Sequence, residues 1–119
     1  MGELDSYSKP IRKLIRLFLT EAYAHEQHIL LAQLDLNFAD WRAGKLDNEA
    51  LNERIHQYHD KSARDLYRRY NGGFPDLLVA YAFVTGVLNQ SEAPSELLEA
   101  LAERMREVRQ VQEQDDIRQ

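Results

Sequence analysis

The sequence predicts an all-α protein on three observations. Apolar residues recur at helical spacing through most of the chain, the breaks between those stretches carry helix start and stop residues, and the first helix is too long for the rest of the chain to cover. The third observation points to a homodimer that binds another protein.

The first helix opens at Ser8, a capping residue, with Pro10 tolerated in the first turn. Ile11, Leu14, Ile15, Phe18, Ala22, Ile29 and Leu36 then follow at helical spacing, and no breaker appears before Gly44. A helix over 9–42 is about 50 Å long at 1.5 Å per residue, well above the average for a globular domain. From Ile29 onward Leu30, Leu31, Leu34, Phe38 and Trp41 point in several directions, so this half is expected to be contacted on two sides.

Asp47 or Asn48 caps a second helix over 48–70, stopped by Asn71, Gly72 and Gly73. At about 100° per residue this helix has three faces. Leu51, Ile55, Tyr58, Ser62 and Leu66 form an apolar one, and charged residues lie opposite. Between them Asn52, His56, His59, Ala63, Tyr67 and Tyr70 form a mixed strip that can pack and hydrogen-bond without full burial, which suits a subunit interface. Asp60 with Arg64 and Asp65 with Arg69 make acid-first pairs four residues apart, which support a helix surface.

Pro75 starts a third helix over 75–88 that is apolar nearly all round. After the turn from Asn89 to Ser95, a fourth over 95–110 carries Leu98, Leu101, Met105 and Val108 as its buried stripe. Residues 110–119 form a polar tail expected to fray. The whole chain, 1–119, reads as a single helical domain.

Composition narrows the function. With 119 residues and 44% hydrophobic content the chain can bury one core. A net charge of -5 argues against nucleic acid, because phosphate binding needs a basic surface. The absence of cysteine excludes disulfides, thiolate metal sites and cysteine nucleophiles. The first ten residues lack the apolar stretch of a secretory leader, and the most apolar run, Leu77 to Leu88, falls short of the roughly 20 residues that span a bilayer. A cytoplasmic protein that does not enter membranes is expected.

No enzyme motif is present. The serines lack a base and a glycine-rich context, and Gly72-Gly73 follows a helix where a phosphate loop would link strand to helix. Histidines come in two pairs, His25 with His28 and His56 with His59, and Glu53 stands three residues before His56 as in helical di-iron bundles. Such bundles use two of these units and further inward glutamates, and here there is one, on a charged face. No native metal or cofactor is expected. A metal-binding helical protein using His25, His28, His56 and His59 is the rival class, and an interaction module with an unrelated partner is a third. Arg64, Arg68 and Arg69 beside Tyr70 make a basic corner suited to an acidic partner surface.

Ala22-Tyr23-Ala24-His25-Glu26 followed by Leu30-Leu31, Ile55-His56-Gln57-Tyr58, Tyr70-Asn71 and Tyr81-Ala82-Phe83 together resemble the fluorescence recovery protein family. These are small helical regulators of cyanobacterial photoprotection, and the resemblance runs from Phe18 to Leu88. It implies two long helices forming an antiparallel homodimer interface, a smaller helical head, and neither catalysis nor cofactor. The partner it implies is the photoactivated orange carotenoid protein, a carotenoid-binding photoprotective protein, whose return to the resting state is hastened by binding. His56 matches the family's interface position, and Tyr23 and Glu26 match too. Glu53 stands where the family has a tryptophan, Gln57 where it has an acidic residue, Ala63 where it has an arginine, and Val79 where it has an aromatic of the head.

On these grounds the dimer interface is expected at Leu30, Leu34, Asn52, Glu53, His56, Gln57, Asp60, Ala63 and Arg64. The partner is expected at Arg64, Arg68, Tyr70, Val79 and Tyr81.

Overall fold

A computed structural model describes residues 4–118, with side-chain burial through residue 115. Residues 1–3 of the N-terminal stretch read above, and residue 119 of the polar tail, lie outside it. The fold is all-α. Helix α1 spans Lys9–Arg42, α2 Asn48–Gln57, a π-helical turn Tyr58–Ser62, α3 Ala63–Gly72, α4 Pro75–Thr85, α5 Ser95–Ala100 and α6 Ala102–Arg118. None of these is long and apolar enough to cross a membrane.

Local chemistry sets the boundaries. The Ser8 hydroxyl accepts the Ile11 N–H at 3.4 Å and the Ser8 carbonyl accepts that of Arg12, so α1 is capped where its sequence says. At its far end Gly44 takes a left-handed φ of +78°. The Lys45 N–H then reaches the Asp40 carbonyl and the Gly44 N–H that of Trp41, the paired bonds of a Schellman stop. Asp47 caps α2 by accepting the Ala50 N–H at 2.7 Å, and the Trp41 indole donates to Asn48 Oδ1 across the turn at 2.8 Å.

Packing divides the chain into two units. The terminal unit takes the residues through Ala22 and those from Gly73 onward. Ile15, Val79, Ala80, Ala82, Leu97 and Leu101 are completely enclosed there, joined by Leu4, Phe83, Met105 and Val108. The Phe18 and Phe83 rings meet at 5.7 Å. Helix α4 ends at Thr85, short of the expected 88, because Gly86 adopts φ +83° and turns the chain. The fourth expected helix is two, α5 and α6, meeting at Leu101. The second continues to Arg118, where fraying was expected from Gln110.

Among the described residues of this unit one charged group, Asp76, is buried. The Asp76 carboxylate, in the first turn of α4, accepts the Tyr7 hydroxyl at 2.7 Å and Arg104 Nε at 3.3 Å, and its other oxygen accepts the Leu77 N–H at 2.9 Å. Arg104 also reaches Glu107 at 2.9 Å. Burial, reinforced by the neighbouring Asp76, pushes the Tyr7 phenol from its ordinary 10.0 up to about 12. A raised pKa favours the neutral phenol in the folded state, so its contribution is complete below pH 10 and is lost as pH rises from 10 through 12. Tyr7→Phe is therefore expected to lower stability at pH 8 by about 1 kcal/mol through the lost hydrogen bond. Thermal melts of the two proteins should converge between pH 10 and 12. A constant gap across that range would exclude Tyr7 as the source of the alkaline loss.

Candidate interaction surface

The hairpin unit, Tyr23–Gly72, is built from the second part of α1 folded against α2, the π turn and α3. The two arms run antiparallel, since Trp41 meets Asn48 at one end and Glu26 meets Arg69 and Tyr70 at the other. Glu26 accepts two hydrogen bonds from Arg69 Nη2, at 2.9 and 2.8 Å, and one from the Tyr70 hydroxyl. Tyr70 stacks at 5.2 Å on Tyr23 and lies under the Arg69 guanidinium at 5.5 Å. Hydrogen bonds to a charged group are worth about 1.5–3 kcal/mol each, so this clamp is the strongest polar tie of the hairpin. It takes Arg69 away from Asp65, the partner its own helix offered.

The π turn re-aims everything after it. The Ala63 N–H bonds to the Tyr58 carbonyl, five residues back, so one extra residue is wound into the helix. Leu51, Ile55, Tyr58, Ala63, Leu66 and Tyr70 therefore line up on the covered side, with a step of five across the turn. The three faces drawn at constant angle are corrected accordingly. Ser62 is exposed at the rim of the grooves it lines with Leu30, Ala63 is half-buried, and Tyr70 leaves the mixed strip for the interior. Within the turn Asp60 receives two imidazoles, His59 Nδ1 at 3.0 Å and His56 Nδ1 at 3.6 Å. The hydrogen bond from His59 chiefly, then that from His56, holds this exposed carboxyl below the usual carboxylate range.

The unit buries little of its own apolar surface. Only Leu51, Leu66 and Tyr70 are buried among its fifty residues. On α1, His25, Ile29, Ala32, Leu36 and Ala39 are spaced four, three, four and three apart, the heptad spacing of a helix-pairing seam, and Ile29 stands at its edge, where it borders a groove of about 380 Å³ with Leu30, Ser62 and Leu66. Ile29 is 42% exposed and Leu36 66%. The sequence puts Ile29 and Leu36 on the apolar stripe of α1, but Leu30 and Leu34, on the adjacent side, look equally apolar, so spacing alone does not say which side α2 and α3 cover.

Other sequence-predicted residues divide by exposure. Leu30 and Leu34 are half-buried and line a groove of about 140 Å³ with Tyr58 and Ser62 inside the hairpin, so they already pack within one chain. Asn52, Glu53, His56, Gln57, Asp60 and Arg64 are exposed, and Ala63 is half-buried. His59, Asp60, Ala63, Arg64 and Tyr67 with Tyr23 surround an open depression of about 590 Å³. Of the residues expected to meet a partner, Arg64, Arg68 and Tyr81 are exposed. Tyr70 is buried against Glu26, and Val79 is 0% exposed in the core of the terminal unit, so neither offers surface to a partner. On α4 the exposed large apolar side chains are instead Phe74, at its N-cap, Leu77 and Tyr81.

The histidines belong to two different arms and are all exposed. Among the described residues no three histidine, aspartate or glutamate side chains gather in a set able to hold a metal ion. Fold and surface together define an all-α chain with one well-packed unit and one helical hairpin whose apolar face lies open. No family model, curated protein or solved structure matches the chain.

Proposed function

We propose that the protein is a non-catalytic, cytoplasmic homodimer that regulates another protein by binding one of its conformations. The observation that carries this reading is the uncovered seam of α1, because a fifty-residue hairpin with three buried side chains cannot supply its own core. A second copy supplies the same seam in return, the self-complementary contact of a two-fold dimer.

Charge favours an antiparallel pair. Glu26, Gln33 and Asp40 flank the seam on one side, and His28, Asp35 and Arg42 on the other. In a parallel pair Asp35 would face the partner subunit's Asp40, whereas in an antiparallel pair centred on Ala32 it faces the partner subunit's His28. That arrangement leaves His56, Asp60, Arg64 and Tyr67 near the hairpin's outer surface as further contact area, consistent with the interface the family resemblance implies.

The partner is read from the same resemblance as a photoactivated carotenoid-binding protein, engaged through Arg64, Arg68 and Tyr81. Shape and mass come first: sedimentation over a range of concentrations should give twice the chain mass of 13.9 kDa. Recovery of photoactivated orange carotenoid protein should then accelerate with added protein. A monomer at every concentration removes the dimer, and unchanged recovery at excess dimer removes this partner.

A further inference from the structure

The seam and the hairpin leave one feature of α1 unused. Its first two turns, in the terminal unit, carry Lys9, Arg12, Lys13 and Arg16 within an arc of about 100°, opposite Ile11, Leu14, Ile15 and Phe18, which face the core. Lys9, Lys13 and Arg16 are exposed and Arg12 is half-buried. Among the described residues none of the four side chains takes part in an ion pair or a hydrogen bond. The first turn of α1 contains no acidic residue. Like charges four residues apart repel, and cations near a helix start oppose its dipole, so the arrangement costs the helix stability with no return from a side-chain partner among the described residues. A local rule broken without compensation points outward, to a ligand.

We infer that this basic stripe docks an acidic helical segment of a partner protein. Lys9 with Lys13 and Arg12 with Arg16 form two rows whose members stand about 6 Å apart, the spacing at which a helix presents glutamates at i and i+4. Leu17, 53% exposed, borders the stripe beside Lys13 and gives an apolar contact next to the charges. Duplex nucleic acid carries a far denser line of charge than an acidic helix, so a chain of net charge -5 with a stripe of four cations is less suited to it. On the apolar face of these turns Ile15 is buried and Ile11, Leu14 and Phe18 are half-buried against the core, so a bilayer would gain little beyond Leu17. Docking here is independent of the dimer seam, which begins at His25.

The probe is an alanine-based helical peptide carrying glutamate pairs four residues apart and one leucine beside them, followed by fluorescence anisotropy at low and physiological salt. The intact chain should bind it at least tenfold more tightly than the same peptide with glutamines, and more weakly as salt rises. The variant Lys9→Gln/Lys13→Gln/Arg16→Gln should lose at least tenfold while keeping full helicity, since it relieves repulsion. Equal binding of the glutamine peptide overturns the inference without reference to any variant. So does stronger binding to duplex DNA, or to vesicles of mixed phosphatidylserine and phosphatidylcholine, than to the glutamate peptide.

Discussion

In the dimer proposed above, replacing Leu36 with glutamate is expected to bring the protein from twice its chain mass to a monomer of 13.9 kDa at micromolar concentration. Leu36 is the most exposed large apolar side chain of α1, at 66%, and sits one heptad after Ile29 in the seam. Each dimer contains it twice. Losing two leucine burials removes about 4 kcal/mol, and two carboxylates facing an apolar seam without partners add roughly 2 kcal/mol more. At 1.4 kcal/mol per decade, about 6 kcal/mol weakens association some four decades. The monomer should keep its helix content, because in one chain Leu36 touches solvent and not the core. Leu31→Glu is the matched control: Leu31 is 49% exposed but lies well round the helix from the seam. A dimer split by Leu31→Glu and left intact by Leu36→Glu would place the interface on the opposite flank of α1.

Where the sequence and the structure agree, a single local rule was sufficient. Ser8, Gly44 and Asp47 mark helix ends through bonds to their nearest neighbours, so the 34-residue span of α1 and the start of α2 could be read directly. Gly86 acts by the same rule, yet the apolar run continues through Leu88, so the sequence predicts a helix three residues longer than α4. The buried position of Val79 could not be read from α4 at all, because a helix apolar on every side carries no pattern that separates core from surface.

Polar contacts between distant segments were the other blind spot. Arg69 satisfies Glu26, forty-three residues away, in preference to Asp65 one turn behind it. Asp60, expected to pair with Arg64, takes His56 and His59 instead. The burial of Asp76 rests on Tyr7 and Arg104, whose separations of 69 and 28 residues no spacing rule connects. Each of these ties is short in space and long in sequence. The surface that the hairpin leaves open shows the same division: its residues were visible as apolar, and which of them α2 and α3 would cover was not.

The π turn yields the sharpest test of how the hairpin is held. A constant-angle wheel cannot represent a step of five, so Tyr58 and Ala63 fell on different faces in the sequence and share one in the structure. Deleting Lys61, an exposed residue inside the turn, should let the segment relax to an ordinary α-helix in which Tyr58, Ala63, Leu66 and Tyr70 keep one face, now at steps of four, three and four. Stability should then stay within about 1 kcal/mol of the parent, since no buried contact is lost. Deleting Asp65, equally exposed but beyond the turn, rotates Leu66 and Tyr70 by about 100° away from α1. That change forfeits about 1.5–3 kcal/mol for Leu66 and a comparable amount for the Tyr70 bond to Glu26, so at least 3 kcal/mol is expected in urea melts. Equal damage from both deletions would mean that the hairpin's own packing requires the extra residue. A stable Lys61 deletion would place the reason for the turn on the outer surface, where it sets His59, Asp60 and Arg64 around one depression.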